Sequence, residues 1–264
     1  MQRRHLITQA VLTLGALLAT AGAMAQAPEW KKIRIGVEGA YPPFSEVGPD
    51  GKLKGFEIDL ANALCAEMKA ECTLVQQDFD GLIPALQSRK IDAIIASMSI
   101  TDERKKVIGF SNPYYTVPAR FTIKSGAKFD FSPAGLKGKK IGVQRATIHE
   151  KFVDATFKQS EIVRYATQDQ AFLDLKSGRI ELTLSDMVAS DLGFIKTPAG
   201  KGFELAGPEY NDPKYFGVGV GVGLRKPDEK TLATKLNAAI AAIRANGTFK
   251  KLNDKYFQYD ISVK

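Results

Sequence analysis

The sequence predicts an α/β protein built as two lobes of like architecture. Three observations predict it. From Lys32 onward, short apolar strands alternate with amphipathic helices. The βαβαβ rhythm of parallel strands covered by helices occurs twice, over 32–98 and over 139–186. Between these series, around Pro113 to Arg120, the alternation stops. The two runs share a rhythm without being a sequence repeat.

The elements follow in order. Residues 33–37 read as a strand. Over 56–68, Ile58, Leu60, Ala61, Leu64, Cys65 and Met68 fall at helical spacing. A strand over 72–76, a helix over 79–88 and a strand over 91–95 complete the first series. Residues 121–123 form a further strand, and 128–138 is a polar turn region bearing Pro133, Gly135 and Gly138. The second series has strands at 140–143, 162–165 and 180–184, with helices at 148–157, 168–177 and 188–195. Over 216–224, glycine at 217, 219, 221 and 223 alternates with valine or leucine after Phe216. That is a strand with one bare face, which another backbone or a ligand can approach closely. It lacks the Gly-x-Gly-x-x-Gly spacing of a dinucleotide site. An amphipathic helix over 231–245, capped by Asn246 and Gly247, precedes a short helix carrying Leu252 and Tyr256.

The ends and composition narrow the class. Arg3 and Arg4 precede an apolar run from Leu6 to Ala23, which ends in Ala23-Met24-Ala25. This is the pattern of a secretory signal peptide over 1–25, cut after Ala25. The formal charge is +8 in 264 residues, but the lysines and arginines are scattered. Nucleic-acid binding requires a clustered basic face, so no nucleic-acid partner is expected. Cys65 and Cys72 are the two cysteines, and in an exported chain such a pair reads as a disulfide clamping a helix to the next strand. Of the two histidines, His5 leaves with the signal and His149 remains, so no metal site is expected. No cofactor motif is present: there is no phosphate-binding loop and no Gly-x-Ser-x-Gly elbow.

Candidate chemistry gathers at the C-terminal ends of strands, where ligands bind in open α/β sheets. Glu38 and Tyr41 lie on a loop stiffened by Pro42 and Pro43; they are either ligand groups or a surface acid and a packed ring. Asp78-Phe79-Asp80 follows the second strand, and Phe79 is either core or a ligand platform. After the third strand comes Ala96-Ser97-Met98-Ser99-Ile100-Thr101-Asp102-Glu103-Arg104. Ser99 or Thr101 is a natural helix cap. Arg104 then sits in a first turn, where the helix dipole disfavours a cation. Either a carboxylate ligand holds it there, or it pairs with Asp102 or Glu103, or it points to water. In the second lobe, Gln144 to Thr147 and Ser185-Asp186 hold the equivalent places. An Asp after a strand is commonly a helix cap.

Several stretches together resemble the periplasmic amino-acid-binding proteins of ABC importers, solute-binding protein family 3. The likeness is greatest to the lysine/arginine/ornithine- and histidine-binding group. These stretches are Gly55-Phe56-Glu57-Ile58-Asp59-Leu60, Asp78 to Pro84, Ile91 to Ile95, Ser97 to Arg104, Phe110-Ser111, Tyr215-Phe216-Gly217 and Gly221 to Lys226. The cysteine pair fits a disulfide of that group. The resemblance spans essentially the whole exported chain. It implies the type II periplasmic-binding-protein fold, with 26–116 and 217–264 forming one lobe, 117–216 the other, and two hinge crossings. It implies a monomeric, non-enzymatic protein that hands a free amino acid to a membrane permease. Arg104, with backbone at Ser97 and near Thr147, would hold the α-carboxylate. Asp186, with groups around Ser97 and Ser99, would hold the α-ammonium. Tyr41 and Phe79 would sandwich the side chain, and Glu38 would meet a distal cation. There are departures: Glu38 is a methylene longer than the usual aspartate, and Ala96 lacks the usual serine hydroxyl. Gln144 and Ile148 also replace more usual residues. Glu38-Gly39-Ala40-Tyr41 resembles opine-binding relatives too, which leaves an opine as an alternative ligand. A dehydratase on the same fold, with Glu38 as general acid or base, is the alternative of another class.

Overall fold

A computed structural model describes residues 30–263. The signal segment read over 1–25 lies outside the described residues.

Two five-stranded sheets carry the chain. The first has the order Glu71–Gln76, Lys32–Val37, Ala93–Ile94, Gly223–Leu224, Gly109–Phe110. The second has the order Glu161–Tyr165, Lys140–Gln144, Leu182–Asp186, Ala119–Lys124, Phe203–Tyr210. In each sheet one strand runs against both neighbours: Gly223–Leu224 in the first and Ala119–Lys124 in the second. These are the strands by which the chain enters a sheet after crossing from the other. They begin at the interlobe side, whereas the strands of the βα units end there. The ends of Lys32–Val37, Ala93–Ile94, Lys140–Gln144 and Leu182–Asp186 therefore converge on one cleft.

Each sheet has its own core. The helix Phe56–Glu67 buries Phe56, Ile58, Leu60 and Leu64 against the first sheet. Phe56 is fully buried, with Phe257 at 5.0 Å and Phe249 at 5.9 Å between ring centroids. Truncating such a ring costs about 3–5 kcal/mol. Cys65 on this helix is bonded to Cys72 on the strand Glu71–Gln76, as expected from the pair. Phe121, Phe152, Phe157 and Leu184 centre the second core. Among the described residues no helix is long and apolar enough to cross a membrane.

Four departures from the sequence reading bear on the cleft and the second sheet. The strand expected over 180–184 is Leu182–Asp186, so Asp186 closes the strand instead of following it. The strand expected over 216–224 shrinks to Gly223–Leu224, preceded by a helical turn Pro213–Phe216 and bridges through Val220. The glycines explain this. Gly217 has φ 74°, and a Cβ there would stand 2.2 Å from the Ile100 carbonyl oxygen. The segment is strapped against another backbone, the close approach that its bare face allows. The edge strand Phe203–Tyr210 carries no clear sequence signal because Gly207 and Pro208 interrupt it. An edge position and a register shift between Ala206 and Tyr210 accommodate them. Finally, the helix expected over 188–195 is an α-turn, Met187–Ser190, running into a π-turn, Asp191–Ile195.

Candidate functional site

Glu38, Tyr41, Phe79, Ala96, Ser97, Arg104, Thr147 and Asp186 line one cavity between the sheets, together with Gln144, Ile148 and His149. Ser99 lies in the adjoining crevice, with its carbonyl oxygen turned to Arg104. A larger open groove runs among Phe249, Asn253, Phe257 and Tyr259 and brings none of these residues together.

Arg104 is placed by the helix Asp102–Val107, whose cap Thr101 accepts from the Arg104 amide at 3.2 Å. Its surface alternatives do not occur. Asp102 pairs with Lys105, and Glu103 reaches across the cleft to Lys151. The Arg104 guanidinium is buried and lies 5.5 Å from the Phe79 ring centre. It donates to the carbonyl oxygens of Ser99, at 3.1 Å, and of Ala146 in the facing sheet's lobe, at 3.3 Å. Among the described residues no carboxylate lies within ion-pair distance of it. Burial lowers its pKa to about 10, with the Glu103 and Asp186 charges opposing that shift. A cation so desolvated favours an anionic partner.

Opposite it, the helix Ile148–Thr156 begins at Thr147, whose hydroxyl accepts from the Glu150 amide at 3.1 Å and donates to the Gln144 carbonyl. This turn aims a positive helix end at the cavity beside Arg104.

Asp186 occupies the cap position of Met187–Ser190, yet its side chain makes no capping bond. The ordinary role of an aspartate after a strand is therefore absent. Its carboxylate lies 3.2 Å from His149 Nε2. Its backbone amide donates across the cleft to the Tyr41 hydroxyl, also at 3.2 Å.

Glu38 directly follows the strand Lys32–Val37 and is buried. Gln144 Nε2 donates to it at 2.6 Å from the other lobe and to the Ala166 carbonyl at 3.1 Å. Burial pushes the Glu38 carboxyl up to about 7; the Gln144 bond acts against this, and the Asp169, Glu57 and Asp78 charges reinforce it.

At Ser97, whose backbone was expected to help hold a ligand carboxylate, the amide donates to Glu57 at 2.8 and 2.9 Å. The Ser97 hydroxyl donates to the same carboxylate at 3.0 Å, and Tyr114 adds its hydroxyl at 2.7 Å. The Ser97 carbonyl and the acceptor lone pairs of its hydroxyl remain for a ligand. Glu57 is fully buried, and burial raises its carboxyl to about 7 against these hydrogen bonds. The bonds hold Ser97 at φ 50°, a backbone region that L residues rarely adopt. In the sequence, the signal for Glu57 is an acid within a helical apolar run, and a lone histidine such as His149 announces no partner.

The lobes touch directly as well. Arg145 pairs with Asp80 at the cleft rim, and Gly193 lies against the Pro42 carbonyl. The arrangement provides a buried cation, a buried anion and a further acid in one enclosed space. These are the counter-charges of a zwitterion that carries a second positive group.

Residues 33–259 match the bacterial extracellular solute-binding proteins, family 3. The chain is 50% identical over 250 residues to an L-arginine-binding protein of Pseudomonas aeruginosa, covering 94% of this chain and 96% of that protein. It is 41% identical over 254 residues to a lysine/arginine/ornithine-binding periplasmic protein of Escherichia coli, covering 96% of both. A solved Salmonella typhimurium periplasmic binding protein, described as highly arginine-specific, superposes with a TM-score of 0.79 at 34% identity. That match covers 86% of this chain and 100% of the other.

Proposed function

The chain belongs to the bacterial extracellular solute-binding proteins, family 3, and on that premise we propose that it captures a free basic amino acid between its lobes and delivers it to the membrane permease of an ABC importer. The observation that carries this reading is the placing of Arg104, Asp186 and Glu38 around one cavity. Arg104, assisted by the helix start at Thr147, takes the α-carboxylate through a forked pair. Asp186 and the Ser97 carbonyl take the α-ammonium. Tyr41 and Phe79 cover the alkyl stem, and Glu38 receives the distal cation.

The contacts come from both lobes, taken as 26–116 with 217–264 and as 117–216. Ligand therefore favours the closed arrangement over an open one, because only the closed form offers both sets. The curated relatives are binding proteins. No step here requires chemistry, and the ligand leaves unchanged. We place the mature protein in the periplasm, as a monomer, with cleavage after Ala25.

Calorimetric titration of ligand-stripped protein with arginine, lysine, ornithine, histidine, octopine and glutamine tests the reading. Tight binding confined to the cationic amino acids supports it. Preference for octopine would favour the opine alternative, and a preference for glutamine would refute the role of Glu38. Recovery of a dehydrated product instead of intact ligand would make the protein an enzyme. Mass measurement of the exported chain checks the cleavage site.

A further inference from the structure

We propose that His149 is a positioning residue for Asp186, fixing the carboxylate that receives the ligand's α-ammonium. The inference rests on the ligand reading above and adds to it a residue with no role assigned so far.

His149 is the second residue of the helix Ile148–Thr156 and is buried. Two things hold its ring. On one side the Phe216 ring lies 6.1 Å away between centroids, at the end of the turn Pro213–Phe216. On the other, Nε2 lies 3.2 Å from Asp186 Oδ1. A carboxylate can only accept, so Nε2 carries the hydrogen and donates. One carboxylate oxygen is then engaged and the rotation of the group is fixed. The second oxygen is left for a cationic donor, where a charge-assisted bond forms.

The placement of the pair adds a second argument. Asp186 ends a strand of the second sheet, and His149 starts the helix that follows that sheet's strand Lys140–Gln144. Both belong to one lobe, so their contact does not depend on closure. The Tyr41 hydroxyl, which comes from the opposite lobe, accepts from the Asp186 backbone amide instead. His149 thus aims the Asp186 carboxylate from within its own lobe, while Tyr41 bonds the backbone beside it. An aspartate at a cap position would otherwise turn to the free amides of its own helix. Here the capping bond is absent and the imidazole takes its place.

The competing account is that His149 only fills space beside Phe216. Two ligands separate the accounts: L-arginine, and 5-guanidinopentanoate, which lacks only the α-ammonium. The variants are His149→Phe, which keeps a ring without a donor, and His149→Gln, which keeps an N–H at similar reach. His149→Phe should weaken arginine about tenfold while changing 5-guanidinopentanoate less than about twofold, and His149→Gln should restore most of the arginine affinity. If His149→Phe does not fold, His149→Asn, too short to reach Asp186, replaces it with the same expectation. Equal losses on both ligands, or no loss on arginine, would overturn the proposal while leaving the binding function standing. Wild-type protein that binds neither ligand would overturn the function itself, and the positioning role with it.

Discussion

Glu38 makes the binding of a cationic ligand depend on pH, and the size of the effect follows from its surroundings. Burial raises its carboxyl to about 7 in the closed arrangement. A ligand cation against Glu38 stabilises the ionised form, so binding expels the proton wherever one is held. With an ionised fraction of about one half at pH 7, one tenth at pH 6 and one hundredth at pH 5, arginine affinity should rise up to about a hundredfold from pH 5 to pH 8. The sign for the empty protein is opposite. A carboxyl raised in the folded state contributes stability that is complete below its unfolded value of about 4.5 and is lost as pH rises through about 7. Calorimetry in buffers of different ionisation enthalpy counts the protons. Close to one should be released per arginine at pH 6, falling towards none at pH 8. Glu38→Gln should flatten both curves and weaken arginine by at least tenfold while sparing neutral amino acids. A wild-type affinity independent of pH, or a Glu38→Gln variant with an unchanged slope, would refute the assignment.

Three further outcomes follow from the same geometry. Arg104→Ala should reduce affinity for every amino acid by more than about a hundredfold, since it removes a buried forked charge pair; retained binding by calorimetry would exclude Arg104 as the carboxylate holder. Gly193→Ala should weaken all ligands alike, because a Cβ there would stand 2.3 Å from the Pro42 carbonyl oxygen and prop the cleft open; small-angle scattering of the arginine-loaded variant should show a larger radius than wild type. Reducing Cys65–Cys72 should cost about 2–3 kcal/mol for so short a loop, lowering Tm by roughly 5–10 °C with little change in affinity, which calorimetry before and after reductant checks.

Much of this arrangement was legible in the chain. Periodicity found the paired α/β lobes because the strand and helix faces alternate cleanly there. The strand-end rule found Glu38, Arg104 and Asp186 because a parallel sheet must deliver those ends to one edge. The hidden parts depend on partners distant in sequence. Glu57 and Ser97 are 40 residues apart and meet only when the helix Phe56–Glu67 packs beneath the strand end Ala93–Ile94. His149 and Asp186 are 37 residues apart. Gln144, noted as a departure, reaches Glu38 over 106 residues and across the cleft. Periodicity reports which face of an element is buried, and it is silent on which polar groups that face will meet. The strand at 216–224 failed for the converse reason: alternation signalled a sheet, while the close approach of Gly217 to Ile100 imposed a strap.

The central claim is that the cleft holds a basic amino acid, and thermal unfolding of ligand-stripped protein tests it most directly. At about 1,000 times its dissociation constant a ligand adds roughly 4 kcal/mol, which for a protein of this size raises Tm by about ten degrees. Millimolar L-arginine should produce that shift and L-glutamate should not. An unchanged Tm with arginine, or an equal rise with both, would contradict the account.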